Sequence, residues 1–247
     1  MAGHSKWANI QHRKGVQDAK RGKLFTRLIR EITTASRHGD PNPEHNPRLR
    51  LAVDNALAAN MTKDTIERAI KRGAGELGAA TYEGARYEGY GPGGVAIIVE
   101  CLTDNRTRTV GEVRHTFSKY GGNLGADGSV SYLFNKCGVL EFSAGSGEER
   151  VMEAALEAGA EDVLTAEDGS FEVLTEPTAF HQVKTAMESS GIKPQTAEVI
   201  LRASSAIRLS PEQAPVVLEL LEALEELDDV QKVYSNAEFP DALLQVS

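Results

Sequence analysis

The hydrophobic period of this chain changes once, near residue 82, and that change dictates the kind of molecule it can form. Upstream, apolar residues recur at three- and four-residue spacing, the helical period; downstream, short strand-length apolar runs alternate with helical stretches. A first helix is predicted from about Asp18 to His38. There Leu24, Leu28, Ile32 and Ala35, with Phe25 and Ile29, fill one sector of the wheel, and Gly39, Pro41 and Pro43 supply stop signals. Asn46 before Pro47 predicts a capped second helix to about Ala59, with Leu49, Val53 and Ala56 inward. Thr62 caps a third, Lys63 to Arg72, with Asp64 in its first turn. Gly73 ends it, and the Gly/Ala-rich stretch to Ala80 reads as a linker.

Beyond it, a strand is predicted at Val95–Leu102, a helix capped by Asp104 or Asn105 through Tyr120, and strands at Val130–Phe134 and Val139–Phe142. A helix at Glu148–Ala158, strands at 162–166 and 171–174, a helix at 178–189 and strands at 198–203 and 206–209 follow. Ser210 then caps a Leu/Glu-rich helix to about Leu227, and Val230–Tyr234 is the last strand. The order βαβ, βαββαβ, βαβ holds a complete ferredoxin-like unit in its centre, and the flanking halves would make a second around it. The expectation is an α/β (α+β) chain: a basic helical domain at 1–78, a discontinuous α/β domain at 79–135 plus 204–247, and an inserted ferredoxin-like domain at 136–203.

Charge is distributed unevenly. Residues 1–73 carry 15 Lys and Arg against 7 Asp and Glu, whereas the remainder carries 12 against 29. A polyanion is therefore drawn to one end and repelled by the rest. The densest cations are Lys6, His12, Arg13, Lys14, Lys20, Arg21, Lys23, Arg27 and Arg30, with Trp7, the single tryptophan, among them. Lys and Arg neutralise phosphates and release counterions, and an aromatic ring in such company can stack on a base. These ten residues form the candidate nucleic-acid site; the competing reading is a solvated helix face with Trp7 as a core plug. The helices at 48–59 and 63–72, joined by Asn60–Thr62, could mimic a helix-turn-helix, although the second is short.

Other chemistries find little purchase. His4 and Ser5 lack a nucleophile elbow and a placed acid, so no catalytic residue is assigned. The Gly89–Gly94 cluster precedes a strand and reads as a hairpin turn, and the Gly121–Ser129 loop follows a helix. A phosphate-cradling loop would do neither, and no Walker lysine is present, so no nucleotide cofactor is expected; backbone NH groups of the second loop could still meet an RNA phosphate. Glu148, Glu149, Glu153, Glu157, Glu161 and Asp162 read as a solvated helix face. Six scattered histidines and the distant Cys101 and Cys137 have no metal-type spacing, and both thiols read as buried and reduced. No apolar run suits a membrane span and the opening residues do not suit a secretory signal, so a cytoplasmic protein with no membrane or small-molecule partner is expected.

Gly3-His4-Ser5-Lys6-Trp7-Ala8-Asn9-Ile10, Gly89-Tyr90-Gly91-Pro92-Gly93-Gly94, Thr103-Asp104-Asn105-Arg106, Gly121-Gly122-Asn123-Leu124-Gly125 and Gly128-Ser129-Val130 occur in this order. Together they closely resemble the YebC family, which includes bacterial transcriptional regulators and the mitochondrial translational activator of cytochrome oxidase. The resemblance spans essentially the whole chain; His12-Arg13-Lys14 stands where many relatives have a lysine pair, with charge kept. It implies a helical first domain, two intertwined α/β domains, and no known catalytic residue or cofactor. It also implies one of two activities. One is a cytoplasmic DNA-binding transcriptional regulator acting at promoters, some members repressing quorum-sensing genes. The other is a ribosome-associated factor, meeting ribosomal or transfer RNA, that helps translation through proline runs.

Overall fold

The computed structural model describes residues 17–76, 81–166 and 169–240. It divides into two compact units, one spanning Tyr132–Ala206 and the other comprising the described residues on either side of it.

In the larger unit, α1 (Gln17–His38), α2 (Pro47–Ala58) and α3 (Lys63–Gly73) form a small bundle. The caps fall where the sequence places them: Leu49 N donates to Asn46 Oδ1 at 3.0 Å and Thr65 N to Thr62 Oγ1 at 3.4 Å. Ile32, Ala35, Leu49, Ala52, Ala56, Met61, Ile66 and Ala69 make the bundle core. Leu24, expected on the apolar face, is 43% exposed instead. Small polar residues complete the α1–α3 seam: Thr33 Oγ1 donates to Ala69 O at 3.3 Å and Ser36 Oγ to Ile70 O at 2.9 Å. Gly73 lies so close that an added Cβ would sit 2.3 Å from Thr33 O and 2.7 Å from Ser36 Cβ. Alanine's better helix propensity is worth about 1 kcal/mol. A clash with backbone carbonyl outweighs that, so Gly73→Ala should destabilise the bundle by about 1–3 kcal/mol in urea titration.

The same unit carries a four-stranded sheet of β1 (Glu83–Tyr90), β2 (Ala96–Thr103), β3 (Asn123–Leu124) and β9 (Val230–Ser235), in the order β3-β1-β2-β9 with antiparallel neighbours. Two helices, α4 (Arg106–Lys119) and α7 (Gln213–Glu225), pack against the sheet and each other. Asn105 caps α4 by accepting from Arg108 N at 3.0 Å. Ser210 and Gln213 exchange bonds ahead of α7 in the manner of a capping box. The Gly89–Gly94 cluster is the hairpin turn between β1 and β2, with Gly91 N bonded to Val95 O at 2.8 Å.

Three expectations about this sheet need correction. No strand was expected over Glu83–Tyr90, yet β1 is central. The segment Val130–Phe134 is not a strand: Ser131–Leu133 is a 3-10 turn. Finally, β8 (Ile207–Arg208) leaves the sheet and pairs in parallel with β10 (Ala237–Glu238). The arrangement keeps ferredoxin-like neighbours and directions, but β1 fills the slot expected for β8.

The unit at Tyr132–Ala206 is a βαββαβ fold: β4 (Phe134–Phe142), α5 (Glu148–Ala158), β5 (Asp162–Thr165), β6 (Phe171–Thr175), α6 (Phe180–Ser189) and β7 (Thr196–Ala203). Its strand order, β5-β6-β4-β7, with every neighbour antiparallel, is ferredoxin-like. Cys137 here is only partly buried, whereas Cys101 in β2 is buried and its thiol is pushed up to about 12 by burial, with Asp229 and Glu100 adding to it. No helix among the described residues is long and apolar enough to cross a membrane.

Candidate nucleic-acid interface

Lys6, Trp7, His12, Arg13 and Lys14 lie outside the described residues. Lys20 and Arg21 stand on α1, with only their place on the helix described. The remaining three, Lys23, Arg27 and Arg30, follow one another at helical spacing and all have partners within the chain.

Lys23 Nζ is paired with the Glu226 carboxylate and donates to Glu226 O at 2.7 Å. Arg27 donates to Glu225 O. Arg30 Nη1 donates to Asp228 O at 2.7 Å, to Leu102 O at 3.2 Å and to Asp229 Oδ1 at 2.9 Å, and its guanidinium lies 5.1 Å from the Tyr82 ring centroid. The face expected to meet a polyanion thus rests on the C-terminal end of α7 and the turn into β9. The physical reason is simple: the last carbonyls of a helix carry partial negative charge, and here Glu226, Asp228 and Asp229 add to it.

The pairs grade from wet to dry. Lys23 and Glu226 side chains are 37% and 61% exposed, whereas Arg30 and Asp229 are 15% and 2% exposed. Asp229 is the hub. Its Oδ2 accepts from Arg108 Nη2 at 2.6 Å, Thr109 Oγ1 at 2.7 Å and Thr103 Oγ1 at 3.1 Å. Its carbonyl accepts from Leu102 N at 2.9 Å. Burial pushes the carboxyl up, but bonds from Arg108, Thr109, Thr103 and Arg30 together outweigh it and hold the group below its ordinary range. One carboxylate thereby joins α1, the end of β2 and the first turn of α4. The sequence signal for this hub is the Thr103-Asp104-Asn105-Arg106 stretch, which contains Thr103 and ends just before Arg108 and Thr109.

The Gly121–Ser129 loop is built around a second buried carboxylate. Glu88 Oε2 accepts from Val130 N and Ser131 N, each at 2.8 Å. Burial raises its carboxyl, and bonds from the backbone at Val130, Gly128 and Ser131 bring it below the usual range. Gly125 N donates to Glu88 O at 2.8 Å and Tyr90 Oη to Ser129 O at 2.8 Å. Within the loop, Gly121 N, Gly122 N, Gly125 N and Ser129 N, which could have met an RNA phosphate, already bond carbonyls of this chain. Glu88→Gln loses the negative charge that gathers these donors. It should destabilise the unit by about 1–3 kcal/mol and raise amide exchange across 124–131, measured by denaturation and hydrogen exchange.

Cations free of ion pairs among the described residues remain at the bundle surface. Arg37, Lys63, Lys71 and Arg72 are exposed; Arg37, Lys71 and Arg72 occupy the last turns of α1 and α3, where they also complement the helix dipoles. By contrast Arg68 pairs with Asp64 at 2.8 Å and Arg48 with Glu31 at 2.7 Å. The exposed residues of α3 therefore mix signs, unlike a helix built to read bases.

The open face of the ferredoxin-like sheet differs in charge from the bundle. An added Cβ at Gly138 would meet Phe180 of α6, so alternate β4 residues from 138 face the helices. Strand register then places Asp162, Glu172, Glu198 and Arg202 with Cys137, Val139 and Glu141 on the other face. Among the described residues that face is acidic and has no aromatic residue, where an RNA-binding sheet needs stacking rings and cations.

Comparison with known proteins agrees with this architecture. Residues 5–76 match the TACO1/YebC protein N-terminal domain, and residues 82–237 match the TACO1/YebC second and third domain. A "probable transcriptional regulatory protein" of Methylococcus capsulatus is 65% identical over 99% of this chain and 98% of its own length. A relative of the same name from Shewanella oneidensis is 58% identical over 99% of both chains. The crystal structure of a conserved hypothetical protein from Aquifex aeolicus superposes with a TM-score of 0.83 at 50% identity, covering 92% of this chain and 94% of that one. The chain belongs to the TACO1/YebC family.

Proposed function

We propose that this protein is a non-enzymatic, cytoplasmic transcriptional regulator that binds DNA through its N-terminal arm and the start of α1. The observation that carries this reading is the confinement of excess positive charge to residues 1–73 of an otherwise acidic chain. The names of the relatives from Methylococcus and Shewanella support it. Within the basic segment, Lys6, Trp7, His12, Arg13, Lys14, Lys20 and Arg21 are the primary contacts. Arg37, Lys63, Lys71 and Arg72 extend the field across the bundle surface. Lys23, Arg27 and Arg30 serve first as structural clamps.

A second reading is favoured by one observation: the mixed-sign surface of α3 provides no evident base-reading helix. A protein that contacts phosphates without reading bases suits RNA recognised by shape, as in a ribosome-bound factor relieving stalls. Crosslinking in living cells, followed by sequencing of both recovered DNA and RNA, separates the two. The control carries Lys6, Arg13 and Lys14 as Gln. Discrete promoter fragments lost in the control are the expected result. Ribosomal and transfer RNA without promoter peaks would replace the DNA reading with the ribosomal one.

A further inference from the structure

Resting on the nucleic-acid reading above, we infer that the acidic end of α7 is an internal competitor for the phosphate backbone, and that Lys23 and Arg27 exchange from it onto bound nucleic acid. The clamp has two parts of different character. Arg30 is nearly dry, and it is fixed by Asp229, two carbonyls and the Tyr82 ring. Lys23 and Arg27 meet a solvent-exposed carboxylate and the final carbonyls of a helix.

These two sites are those a phosphate can displace. An exposed ion pair contributes little and is screened by salt. A neutral carbonyl is a weaker acceptor for a guanidinium than a phosphate oxygen, because phosphate is itself ionised and can take two parallel N–H bonds. Lys23 and Arg27 stand one turn apart on α1, so one backbone can meet both in succession. The Glu226 carboxylate on Lys23 and the Glu225 carbonyl on Arg27 occupy the positions such a backbone would take. The contact thus weakens indiscriminate binding, while Arg30–Asp229 keeps the bundle docked throughout.

The test uses the full chain with a 20-base-pair DNA duplex and an RNA duplex of equal length, titrated over a range of salt. Glu226→Gln should bind about two- to five-fold tighter than the wild type, the scale of an exposed ion pair. Lys23→Gln should bind more weakly and lower the DNA salt slope by about 0.9, the share of one phosphate contact. The Lys23→Gln loss should be larger in the Glu226→Gln background. Glu226 is exposed and Lys23 half-exposed, and denaturation midpoints verify that each variant stays folded. If neither substitution moves affinity or slope while the Lys6, Arg13 and Lys14 Gln variant loses binding, the exchange is wrong and the arm reading stands. If no protein binds either duplex in a salt-dependent way, both fall. A response to DNA but not RNA, or the reverse, identifies the ligand whose backbone is exchanged.

Discussion

Replacing Asp229 with alanine should cost about 3–5 kcal/mol of unfolding free energy, the largest single-residue effect expected outside the hydrophobic core. The loss is not that of one salt bridge. Arg30, Arg108, Thr103 and Thr109 all direct donors at this carboxylate, and Arg30 already has a buried Nε without a partner. Removing Asp229 leaves those donors facing each other in a nearly dry site, and stranding a charge costs far more than forming the pair gains. Because the carboxyl is held below its ordinary range, its contribution is complete above the unfolded value of about 3.9 and is lost as pH falls through the lower folded value. The gap between wild type and Asp229→Ala in urea titrations should therefore narrow below about pH 4. A gap that stayed constant there would mean that the carboxylate charge is not what holds α1 to β2 and α4.

Neutralising the arm should have the largest effect on binding. With Lys6, Arg13, Lys14, Lys20 and Arg21 all changed to Gln, the DNA salt slope should fall by about 4.5, since each phosphate contact contributes about 0.9. Folding should be almost unchanged, because the substitutions stay clear of Lys23, Arg27 and Arg30. Substituting those three by Glu would be a poor control. It would set carboxylates against the end of α7 and against Asp228 and Asp229, so lost contacts and lost docking would be read together. Fluorescence anisotropy against a duplex, repeated across salt concentrations, measures the slope. An unchanged slope in the five-residue variant would place the contacts elsewhere.

The legible parts of this fold are those encoded locally. Asn46, Thr62 and Asn105 announce their helices because a cap needs only a side chain and the next turn. The inserted βαββαβ unit shows in its alternating periods. By contrast, β1 reads Glu-Gly-Ala-Arg-Tyr-Glu-Gly-Tyr and has no apolar alternation. Its place comes from tertiary partners: Gly89 lets Asn123 O and the Phe117 ring approach closely, and Glu88 is buried to organise a loop some forty residues on. The cationic stripe of α1 was equally visible, but its partner was not. A helical wheel shows that Lys23, Arg27 and Arg30 share a side; it cannot show that the side meets residues 203 positions away at Glu226. Leu24 fails for the complementary reason, since periodicity assigns it a face without saying how far along α1 the packing extends.

The central claim is that nucleic acid meets the N-terminal arm and not the acidic domains. A photoreactive residue placed at His12, and in a parallel protein at the exposed Glu157 on α5, tests this directly in cells. Irradiation should yield nucleic-acid adducts from position 12 and none from position 157, with the adducts lost when Lys6, Arg13 and Lys14 are changed to Gln. Adducts from position 157, with none from position 12, would contradict the account.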